Sequence, residues 1–184
     1  MDRGKESSAI EKVPVPRVPG ADPLVQPWRD PGWQRLWLAL LAKPWSSLAL
    51  VPASSGAPND FALDVAVTLA RTAIAHLREP IQVADGTQVQ MTHLTSFSSE
   101  LQSCKDSGYR VLVALAPVSE SPVTVALSQS TDFALLCVLF GKMATADAKR
   151  TIAEIGHGRF IGSATFHPDK TDKTEDRDQR KNKK

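Results

Sequence analysis

The sequence predicts an α/β fold, a mostly parallel β-sheet with helices on both faces. Three observations lead there. Short apolar runs (Leu48–Val51, Ile81–Ala84, Tyr109–Leu115, Phe133–Phe140 and Phe160–Phe166) alternate with segments of helical period. The central runs are apolar at nearly every position, which suits strands covered on both faces rather than half-exposed antiparallel ones. Turn signals such as Asp85-Gly86, Ala116-Pro117 and Gly156–Gly158 separate the runs.

Residues 1–29 are polar and proline-rich (VPVPRVPG), and the expectation for them is a disordered or polyproline II arm. Asp30-Pro31 has the form of an N-cap followed by proline at the first helical position. Trp33, Leu36, Trp37, Leu40 and Leu41 then recur at helical spacing, and Lys43-Pro44 closes this first helix. Two roles fit its tryptophans. Trp33 and Trp37 pack on the domain's own sheet, or they anchor a protein partner, because tryptophan is favoured at interface hot spots.

The strand Leu48–Val51 leads through a turn-rich loop into a helix from about Asp60 to Leu77, closed by Arg78-Glu79-Pro80. Ile81–Ala84 is a second strand, followed by a weaker helix near Ser96–Ser107. After Tyr109–Leu115 comes a short helix, Pro122–Ser128, with Ser121 as its expected N-cap. Phe133–Phe140 is the most apolar strand, Ala144–Ile155 the last helix with Thr145 near its cap, and Phe160–Phe166 the last strand. The expected domain therefore spans 30–167, and 168–184, charged and without apolar residues after Pro168, is an expected disordered tail.

Composition narrows the function classes. A net charge of +2 gives no field that would recruit specific nucleic acid or an anionic membrane. The apolar stretches are far shorter than the roughly 20 residues a spanning helix needs, and the start lacks a secretory h-region. The expectation is a cytoplasmic protein, peripheral at the inner membrane only through a partner. Cys104 and Cys137 are isolated, and Cys137 reads as a small buried hydrophobe. His76, His93, His157 and His167 are scattered, so no metal site is expected. Phosphate recognition by Arg159, in a helix-ending loop, has no supporting pattern.

The chemistry would lie in the first loop. Strand, loop and helix together place free N–H groups and a positive dipole end beside the strand's carboxyl edge, a ready anion site. A phosphate-binding loop of sequence GxxxxGK[ST] adds a lysine for the β- and γ-phosphates and a hydroxyl for magnesium. Here the loop reads PASSGAPND, and no lysine lies in residues 46–75.

With its elements placed, the chain resembles MinD/ParA-type P-loop ATPases, closest to the cytoplasmic bacterial tyrosine kinases of polysaccharide export. LALVPASSG followed by FALDVAVTLA has the cadence of the family's first strand, loop and helix. IQVADGTQVQ matches its Walker A′ strand, with Asp85 on that motif's aspartate. The run from YRVLVALAPV to TIAEIG resembles the Walker B strand and all that follows it, and RFIGSATF the next strand. The resemblance implies ATP and magnesium as cofactors, a polysaccharide synthesis or export complex as partner, and self-association into a homo-oligomer.

The catalytic positions depart from that family. Ala57, Pro58, Asn59 and Asp60 stand where glycine, lysine and a hydroxyl residue belong, and Ala114-Leu115-Ala116 where the Walker B strand ends in aspartate. The proline removes a phosphate-facing N–H, and Asp60 brings negative charge towards a triphosphate. Losing the lysine, the hydroxyl and the carboxylate together removes nearly all that a protein contributes to phosphoryl transfer. The expectation is a degenerate loop (Ser54, Ser55, Gly56, Asn59, Asp60) without cofactor, a chain without catalytic residues, and work as a regulator or scaffold. The alternatives are an ATPase or tyrosine kinase with an unorthodox loop, or a MinD/ParA-like positioning protein.

Overall fold

The computed structural model describes residues 26–77, 81–142 and 145–167. Five parallel strands, β1 (Ser47–Pro52), β2 (Ile81–Asp85), β3 (Arg110–Ala114), β4 (Phe133–Leu139) and β5 (Phe160–Phe166), form one sheet in the order β2-β3-β1-β4-β5. Five helices alternate with them: α1 (Pro31–Leu40), α2 (Phe61–Leu77), α3 (Leu94–Asp106), α4 (Val123–Gln129) and α5 (Thr145–Ile155). The α/β parallel architecture expected from the sequence is the one observed.

Strand alternation explains the two cores. Leu48 and Leu50 of β1, Leu112 and Ala114 of β3, and Leu135 and Cys137 of β4 face one way, onto α1 and α2. Ala49, Val51, Val111, Val113 and Ala134 face the other way, onto Phe97 and Leu101 of α3, Val123 and Leu127 of α4 and Ile155 of α5. Every residue of β1 is buried, so this strand is the axis of the sheet. At about 25 cal/mol per Å² of apolar area, these two layers supply the main driving force for folding.

The first helix forms for the reasons its sequence gives. The Asp30 carboxylate accepts the Gly32 N–H, and Pro31 occupies the first turn. It stops at Leu40, ahead of Lys43-Pro44, and the Trp45 indole N–H donates to the Leu40 carbonyl at 2.8 Å. That bond satisfies one of the carbonyls a helix end leaves open.

Two expectations need correction. Residues 26–29 are not part of a featureless arm: Pro27–Arg29 form a 3-10 turn, and the Trp28 carbonyl lies 3.0 Å from His76 Nε2 of α2. Ser121 does not cap α4 with its side chain. Pro122 holds the cap position, and the hydroxyl that ties this helix down is Thr124, donating to the Ala116 carbonyl at 2.9 Å. The rest of the expected arm, the closing residues Arg78-Glu79-Pro80 and the tail 168–184 lie outside the described residues.

At the amino edge of the sheet, Asp132, just ahead of β4, ties the start of β1 to α3. Its Oδ2 accepts the N–H groups of Ser46 and Ser47 at 2.7 and 2.8 Å, and its Oδ1 meets Lys105 Nζ of α3 at 2.9 Å. Burial pushes the carboxyl up, but the Lys105 hydrogen bond, the two N–H groups and the Lys105 charge together hold it below the usual carboxylate range. Arg159 sits at the same edge. Its Nη2 donates to the carbonyls of Ser128, Gln129 and Thr131 at the end of α4.

Candidate functional site

In open α/β sheets, ligands bind outside the carboxyl ends of strands where the order of connections reverses. Here β1 connects towards β2 and β4 connects towards β5. Both neighbours of β1 therefore connect the opposite way from it, β3 towards β4 and β4 towards β5, and the reversal on the β4 side lies between the loop 53–60 and the residues that follow β4. Of the loop after β4, residues 140–142 are described.

These two loops are joined. Ala53 N–H donates to the Cys137 carbonyl at 2.9 Å, so the chain leaves β1 still bonded to β4. The buried Ser54 hydroxyl donates to the Lys142 carbonyl at 3.4 Å and accepts the Gly56 N–H at 3.3 Å. Gly56 is pressed against the same carbonyl: a Cβ built on it would stand 2.1 Å from the Lys142 oxygen. Thr151 of α5 donates to the Ala53 carbonyl at 3.4 Å. Two elements that would flank a phosphate are thus hydrogen-bonded to each other.

The start of α2 is acidic. The Asp60 carbonyl accepts the Asp64 N–H at 2.9 Å, and both side chains belong to the helix entry. Burial, and then the neighbouring Asp60 charge, push the Asp64 carboxyl above its ordinary value. Two carboxylates therefore occupy the dipole end where an anion would be stabilised. Ser55, Gly56, Asn59 and Asp60 are exposed around the turn. Beside β1, the end of β3 is apolar: Leu50 pairs with Ala114, the Leu115 N–H donates to the Leu50 carbonyl, and Ala114 and Leu115 are fully buried.

Asp85 stands apart from this loop, at the end of the edge strand β2. Its Oδ1 accepts both the N–H and the hydroxyl of Thr87, at 2.9 and 2.7 Å, closing the turn after the strand. Gly86 follows because a side chain there would fall 2.8 Å from Leu115 Cδ2 and 3.0 Å from the Ala114 carbonyl.

The tryptophans face inward. Trp37 is 2% exposed and makes an edge-on contact with Trp45 at 5.8 Å between centroids. Trp33 is half-buried, with its ring 5.4 Å from that of Phe166 in β5. The Trp37 ring is committed to the core beneath α1. Arg159 is likewise committed to helix carbonyls at the opposite edge of the sheet. Among the described residues, no three His, Cys, Asp or Glu side chains converge to hold a metal ion, and no helix is long and apolar enough to cross a membrane.

Asp132, Lys142 and Thr151 were not singled out from the sequence. An aspartate just ahead of a strongly apolar strand was the available signal for Asp132. Nothing local marks Lys142, which contributes its backbone, or Thr151, whose partner lies 98 residues away.

The chain matches no protein-family model, and comparison with curated proteins and with solved structures finds no match.

Proposed function

We propose that this chain is a non-catalytic α/β module of P-loop-like plan that acts by surface contact, as a regulator or scaffold. The carrying observation is the seat of Gly56 on the Lys142 carbonyl, which joins the loops at the β1–β4 crevice. Three further features support it: no lysine between residues 46 and 75, two carboxylates at the start of α2, and an apolar end to β3. Phosphoryl transfer depends on positioning and on charge neutralisation, and the start of α2 supplies negative charge instead.

The setting we propose is a bacterial polysaccharide synthesis or export complex. It rests on the sequence resemblance to the tyrosine kinases of that machinery, with a polysaccharide co-polymerase as the partner to test. Calorimetric titration with ATP and magnesium tests the non-catalytic part, and the expected result is no binding. Titration against the purified cytoplasmic portion of a co-polymerase tests the setting, and saturable binding is expected.

A further inference from the structure

We draw no further inference here: the strongest candidate, the exposed surface patch that the Phe140 and His167 rings form where β4 and β5 end, carries nothing because nothing in the structure shows what covers it.

Discussion

Gly56 lies against the carbonyl of Lys142, 86 positions further along the chain, with no room between them for a methyl group. Ser54 binds the same oxygen, so one carbonyl ties the 53–60 loop to the end of β4. Gly56→Ala should force the two loops apart. The expected loss is about 1–3 kcal/mol, typical of overpacking a fitted site, read as a lower midpoint in urea. An unchanged midpoint would mean that the loops are not in contact in solution.

Asp132 holds the amino edge as Gly56 holds the carboxyl edge. Removing its carboxylate leaves the Ser46 and Ser47 N–H groups and the Lys105 ammonium without their acceptor. Asp132→Ala should lower stability by about 2–3 kcal/mol at neutral pH. The sign of its pH dependence follows from the direction of the shift. The folded carboxyl titrates below its unfolded value, so its contribution is complete above the unfolded pKa and fades as pH falls through the folded one. The gap between wild type and variant should therefore close below about pH 4, and a gap that is constant with pH would contradict the ion pair.

The inward-facing tryptophans make a stability prediction instead of a binding one. Trp37→Ala should cost about 3–5 kcal/mol, since a fully buried ring leaves a cavity that its neighbours cannot fill. Trp33→Ala should cost less, because that ring is half-buried against Phe166. Thermal melts of the two variants check the order, and equal losses would contradict it.

The two thiols should differ in reactivity. Cys137 is fully buried and its thiol is pushed up to about 12, so it should resist alkylation until the protein unfolds. Cys104 is partly exposed, raised by burial and then by Glu100, with its sulfur 3.1 Å from Gln82 Oε1. A thiol titration of the native protein should show one slow reacting group, assigned to Cys104 by mass spectrometry.

Much of this fold was legible because its strands are buried on both sides. Such strands are apolar throughout, and FALLCVLF and YRVLVAL cannot be read as amphipathic helices. The Asp30-Pro31 cap was legible because capping is local, using atoms two residues apart. The side-chain bonds that fasten the end of α1 and the start of α4 were not, because their partners come from elsewhere: the Trp45 indole for one, the Ala116 carbonyl for the other. The buried state of Trp37 was open for the same reason. A tryptophan on an apolar stripe suits a core and an interface equally, and only the fold says which surface the stripe meets. The absence of lysine from the loop after β1 was plain in the sequence, whereas the loop's closure was not, because it depends on a backbone atom of Lys142.

Titration calorimetry with ATP in the presence of magnesium addresses the central claim most directly. The loop on the Lys142 carbonyl, with Asp60 and Asp64 at the helix entry, predicts no heat of binding at millimolar nucleotide. Micromolar, magnesium-dependent binding that Gly56→Ala or Asp60→Ala alters would contradict the non-catalytic reading.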